Sequence, residues 1–130
     1  MYVSDTHPLF YHAFGKPTRL GRNARKLFES ADVGRSLIYV PTTVLWEIAK
    51  IVDWAVKPVR RFDHWCRTLE AHRGYAIAPL EWTDVDEARR LPFSDPLDCL
   101  IVGTAIRLGL PLITKDRLIE ESGLVETVWQ

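Results

Sequence analysis

The chain has 130 residues, 47% hydrophobic and 26% charged, a composition that supports a packed core and argues against disorder. Seventeen basic residues balance seventeen acidic ones, so net charge does not steer the chain toward nucleic acid or a membrane surface, and any such attraction has to come from patches. Cys66 and Cys99 are too few and too far apart for a zinc motif, and their apolar, helix-like surroundings predict buried free thiols.

No apolar run approaches the ~20 residues of a membrane span. Tyr2-Val3-Ser4-Asp5 follows the first Met without the charged and apolar regions of a signal peptide. The expectation is one cytoplasmic domain over residues 1–130.

Tyr2-Val3-Ser4 reads as a short strand, broken by Asp5-Thr6-His7-Pro8. Leu9 to Phe14 is an aromatic half-helix closed by Gly15, and Lys16-Pro17-Thr18 is loop. A helix follows from about Gly21 to Ala31, with Ala24, Leu27 and Phe28 inward. Ser36 to Val40 is the second strand, ended by Pro41. Thr42 or Thr43 is then placed to cap a helix whose apolar face is Val44, Leu45, Ile48, Ile51, Val52 and Ala55.

Pro58 opens a helix to about His72, with Phe62, Trp65, Cys66 and Leu69 inward and Arg60, Arg61, Arg67 and Glu70 outward. Gly74 stops it, and Tyr75 to Ala78 is strand three. Thr83 with Asp86 resembles a capping box before a short helix through Leu91. Next comes a helix with Ser94 as cap, Asp95 at its first position and Pro96 where a missing N–H costs little. Its apolar residues, Leu97, Leu100, Ile101, Val102, Ala105, Ile106 and Leu108, run nearly all round and predict burial; Gly109 ends it. Leu110 to Thr114 is a strand with Lys115 and Asp116 at its end; a short helix Arg117–Glu121 and a strand Leu124–Trp129 finish the chain. Alternating strands and helices predict an α/β fold around a mostly parallel sheet covered on both faces.

The acids fall at the ends of these elements. Asp5 closes the first strand, Glu47 lies one turn into the helix after strand two, and Asp95 and Asp98 share a face of their helix start. Asp116 closes the following strand, and right-handed crossovers bring such ends to one rim. Clustered carboxylates either take up protons or share a cation. Hard, oxygen-preferring Mg²⁺ and Mn²⁺ fit such a set, and phosphodiester hydrolysis is chemistry they support. Taken singly, each acid also has an ordinary reading, as a cap, a turn residue or a surface helix residue.

The segments Val3-Ser4-Asp5-Thr6-His7-Pro8-Leu9, Pro41 to Ala49, and Ser94-Asp95-Pro96-Leu97-Asp98 continuing to Leu110 through Asp116 resemble the PIN-domain family, within it the VapC-type toxins of toxin–antitoxin pairs. The resemblance implies a three-layer α/β/α sandwich around a parallel sheet and an Mg²⁺- or Mn²⁺-dependent endoribonuclease. By position, Asp5, Glu47, Asp98 and Asp116 match the family's acidic quartet of catalytic metal ligands, and Asp95 is auxiliary. Thr6 and Thr114 match small polar positions beside the acids. Cys99 stands where Arg is frequent, and Tyr11 where Trp is common.

The implied partners are RNA and a cognate antitoxin, with no membrane. Apolar, aromatic helices between Trp46 and Trp65 add the expectation of a homodimer or an antitoxin groove. Lys115 is the first basic residue to test for substrate contact, whereas most other Arg and Lys residues read as solvated helix faces. His7, two residues after Asp5, is a candidate ligand or acid but reads first as packed or hydrogen-bonded in its loop, and His12, His64 and His72 read as ordinary helix or surface residues. Competing readings are a PIN-domain protein of RNA processing, a non-catalytic binding module, and a different metal phosphohydrolase. The last is disfavoured, because no Asp-x-Asp follows the first strand and no glycine-rich phosphate loop is present.

Overall fold

A computed structural model of the chain describes residues 1–54 and 61–130. Its centre is β1 (Tyr2–Ser4), which pairs in parallel with β2 (Ile38–Pro41) on one side and β4 (Leu112–Ile113) on the other. β3 (Tyr75–Ala78) extends the sheet from β2, and β5 (Thr127–Val128) extends it from β4. All pairings are parallel, and the order is β3-β2-β1-β4-β5.

The connections carry α1 (Thr6–Ala13), a tight 3₁₀ turn at Pro17–Arg19, α2 (Arg22–Asp32), α3 (Thr42–Ile51) and α4 (Phe62–Ala71). After β3 come α5 (Trp82–Ala88) and α6 (Pro96–Leu108), and α7 (Arg117–Ser122) joins β4 to β5. The chain moves outward from β1 to β3 and then returns to the far side of β1. Right-handed crossovers on either side of that reversal distribute helices to both faces, giving the three-layer α/β/α sandwich. The reversal leaves a crevice at the carboxyl ends of β1 and β4, where open α/β sheets bind ligands.

The core joins Val3, Ile38, Val40, Leu112 and Ile113 of the sheet to Phe28 of α2, Val44 and Ile48 of α3 and Ile101 and Val102 of α6, all fully buried. α6 is apolar nearly all round because it is buried nearly all round; Gly109 ends it at φ +66, the left-handed turn a Cβ disfavours. Gly74 has a different reason to be glycine: a Cβ there would overlap the backbone carbonyl of Ala31. Gly74→Ala is expected to destabilise the protein by about 3 kcal/mol, because backbone rather than a flexible side chain has to yield; urea denaturation checks it. Among the described residues no helix is long and apolar enough to cross a membrane.

Several local expectations are corrected. α1 starts at Thr6, since Asp5 caps it and Pro8, in its first turn, needs no N–H there. Residues 17–19 form the 3₁₀ turn rather than plain loop. Pro41 lies within β2 and stands at the cap position of α3, while the Thr42 hydroxyl instead accepts from the Leu80 backbone N–H at 3.1 Å. The box before α5 is not made by Thr83 and Asp86: Asp84 accepts from the Glu81 N–H at 3.1 Å, and the helix ends at Ala88. Asp95, not Ser94, caps α6. β4 and β5 are two residues each, shorter than their apolar runs. The expected start of α4 at Pro58, with Ala55, Lys57 and Arg60, lies outside the described residues.

Candidate metal centre

Asp5 is held at the end of β1 by two neighbours. Its backbone N–H donates to the Ile113 carbonyl of β4 at 3.0 Å, and its Oδ1 accepts from the Thr6 N–H at 2.7 Å, capping α1. The other carboxylate oxygen accepts from the Thr114 hydroxyl at 2.7 Å, and the same Thr114 oxygen accepts from the Asp116 N–H at 3.1 Å. Thr114 therefore links Asp5 to Asp116 across the β1–β4 crevice. Thr6 does the same on the other side, donating its hydroxyl to Glu47 Oε1 at 2.6 Å.

Asp116 Oδ1 caps α7, accepting from Leu118 N–H at 2.8 Å and Ile119 N–H at 3.3 Å. Asp95 Oδ1 caps α6 by accepting from Leu97 N–H at 2.9 Å. Asp98 is different. It lies in the first turn of α6, half-buried, and its carboxyl has no hydrogen-bond or ion-pair partner among the described residues.

One pocket of about 290 Å³ is lined by Asp5, Thr6, His7, Glu47, Asp95, Asp98, Lys115 and Asp116. The electrostatics follow from that crowding. Burial pushes the Asp98 carboxyl up to about 7, and the carboxylates of Asp5, Asp95, Asp116 and Glu47 add to the shift. Burial also raises Asp5, against the hydrogen bonds from Thr114 and Thr6 and the nearby His7, while Asp116 adds to the rise.

The structure brings all the acids singled out in the sequence to this pocket, together with Thr6, Thr114 and Lys115 as neighbours. Sequence reasoning ranked one participant too low and missed another. His7 is exposed and lines the pocket instead of packing in a loop, and Tyr11 receives the Lys115 ammonium at 2.6 Å. Both sit on α1 at i and i+4, with rings 6.0 Å apart, a relation hidden as long as Thr6-His7-Pro8 is read as a break.

The donors fit a hard divalent cation in kind: carboxylate oxygens, one of them on an unpartnered Asp98 whose ionisation its neighbours oppose. They do not form a closed cage, since among the described residues no three Asp, Glu, His or Cys side chains already stand around one point. Of the aromatic residues, Trp54 and Trp65 pack with Phe14 and Phe62, whereas Trp46 and Trp82 are 57% and 78% exposed.

An all-parallel sheet with a carboxylate pocket at its single reversal defines an open α/β protein with an acidic rim site. The chain matches the PIN domain family over residues 2–122 and belongs to that family. Its fold is similar to VapBC2 from Rickettsia felis bound to a DNA fragment from their promoter, with TM-score 0.66 and 13% identity over 99% of this chain and 98% of that one. It is also similar to FitAB bound to IR36 DNA fragment, with TM-score 0.66 and 17% identity over 98% and 94%. No curated protein matches the sequence.

Proposed function

We propose that this chain is the VapC-type toxin of a type II toxin–antitoxin pair, an Mg²⁺- or Mn²⁺-dependent endoribonuclease that works in the cytoplasm as a homodimer and is restrained by its antitoxin. The observation that carries the enzymatic reading is the gathering of Asp5, Glu47, Asp98 and Asp116 in one pocket, with Asp98 left unpartnered among the acids that oppose its charge. The family match and the toxin–antitoxin assemblies that share the fold support the biological role. Exposed Trp46 and Trp82 supply apolar surface for protein partners.

Asp5, Glu47, Asp98 and Asp116 would hold the cation. When bound it supplies a Lewis acid that makes water a better nucleophile and offsets charge on the phosphodiester. The protein's own part is positioning. Thr114 fixes the rotamer of Asp5 and Thr6 that of Glu47, while Asp95 and Asp116 tie the starts of α6 and α7 to the rim.

The direct test is incubation of purified protein with single-stranded RNA and Mg²⁺, with and without EDTA. Internal cleavage that EDTA stops is the expected result, and intact RNA at micromolar protein rejects the reading. Thr114→Val keeps the shape but removes the hydrogen bond to Asp5. It is expected to lower Mg²⁺-dependent cleavage by about 10–100-fold while the circular dichroism spectrum stays unchanged.

A further inference from the structure

Five carboxylates in one pocket repel a polyanion, so a chain that binds RNA there needs cations at the rim. Lys115 is the one lysine or arginine among the residues lining that pocket, yet among the described residues it makes no ion pair with any of the acids. The ammonium is held elsewhere. Its Nζ donates to the Tyr11 hydroxyl at 2.6 Å, at the outer end of the ring. Arg19, exposed on the 3₁₀ turn, places its guanidinium carbon 5.7 Å from the centre of the same ring and also pairs with no acid among the described residues.

Tyr11 is 6% exposed, so this shared anchor is fixed in α1 and does not swing with solvent. A cation that collapsed onto the carboxylates would neutralise the pocket and be lost to substrate. Tyr11 offers Lys115 a competing hydrogen bond through its hydroxyl and Arg19 its ring.

We infer that Lys115 and Arg19, held by Tyr11, form the phosphate-binding rim of the pocket and grip backbone phosphates of a single-stranded RNA beside the phosphodiester that enters the carboxylates. The inference rests on the endoribonuclease reading for its substrate, and Tyr11 acts in it as a positioning residue.

The test uses a fluorescein-labelled single-stranded RNA 20-mer, bound to cleavage-silent Asp98→Asn protein without metal, with Kd measured between 50 and 200 mM KCl. Lys115→Met and Arg19→Met are each expected to weaken binding about 5–10-fold at low salt and to flatten the log Kd against log salt plot by about 0.7. Lys115→Arg retains the slope. Tyr11→Phe keeps both charges and so keeps the slope, but weakens binding about 3-fold; in the Asp98 protein it raises KM more than it lowers kcat. An unchanged slope in the Lys115→Met, Arg19→Met double variant overturns the rim, whether or not the Asp98 protein cleaves RNA. A flattened slope with no cleavage by the Asp98 protein overturns the nuclease reading and leaves the rim standing. Absence of RNA binding by the Asp98→Asn parent overturns the rim outright.

Discussion

Asp98→Asn is expected to abolish Mg²⁺-dependent RNA cleavage, by more than about 100-fold, and at the same time to make the metal-free protein more stable. The two effects share one cause. Asp98 is half-buried and faces four other carboxylates, and its pKa is raised from 3.8 to about 7. The folded state then binds the Asp98 proton more tightly than the unfolded chain does, so this group's contribution to stability falls as pH rises from about 4 to 7. Above pH 7 the deficit is complete; after discounting for solvent screening it is about 1–2 kcal/mol, or roughly 3–8 °C in Tm. Asn carries no charge and escapes it. Differential scanning calorimetry without metal should therefore give the variant the higher Tm at pH 8 and equal values near pH 4. Added Mg²⁺ should raise the Tm of the parent protein and not that of the variant. Undiminished cleavage by the variant, or a lower Tm at pH 8, would contradict the role given to Asp98.

Arg107→Met is expected to destabilise the fold by about 3–5 kcal/mol, lowering Tm by roughly 10–20 °C. Asp84 is fully buried, and Arg107 Nε donates to its Oδ1 while Nη2 reaches Oδ2 at 3.3 Å. Thr104 adds a hydroxyl bond to Oδ2 at 3.1 Å, and the Glu81 N–H a second at 3.1 Å. These contacts clamp α5 to α6 where Gly103 lets the helices approach: a Cβ there would lie 2.8 Å from the Asp84 carbonyl oxygen. Met fills the space of the arginine stem but leaves Asp84 charged in a dry site. Adding Asp84→Asn removes that charge, keeps an acceptor for Glu81 and Thr104, and should recover about half of the loss. A single variant melting within a few degrees of the parent would show that the pair contributes little.

The sheet was legible because its strands are short β-branched or apolar runs, the first three closed by Asp or Pro, and because alternation with helices requires crossovers of one hand. Residue pattern alone puts Asp5 and Asp116 at strand ends, and Glu47 and Asp98 near helix starts. What stayed illegible depends on long-range partners. Asp84 looks like one acid among several on α5 until Arg107, far along the chain, reaches it. Thr42 looks like a cap until Leu80 supplies another donor. The beginning of α1 was hidden by a proline, which in a first turn is harmless. With that turn unread, the approach of Tyr11 to Lys115 could not be seen either.

The capping role of the rim acids has an evolutionary consequence. Asp5, Asp95 and Asp116 each use one oxygen to complete a helix, so losing any of them to an apolar residue costs about 1 kcal/mol of folding stability in addition to any chemistry. Glu47 and Asp98 cap nothing. Under the proposed nuclease reading, a lineage released from the need to cleave would let those two drift first, while the strand-end aspartates persisted as Asp or Asn for the sake of the helices alone. Retained aspartates in a silent descendant would thus be a relic of architecture, and the pair on α3 and α6 the more faithful record of whether the chemistry was still in use.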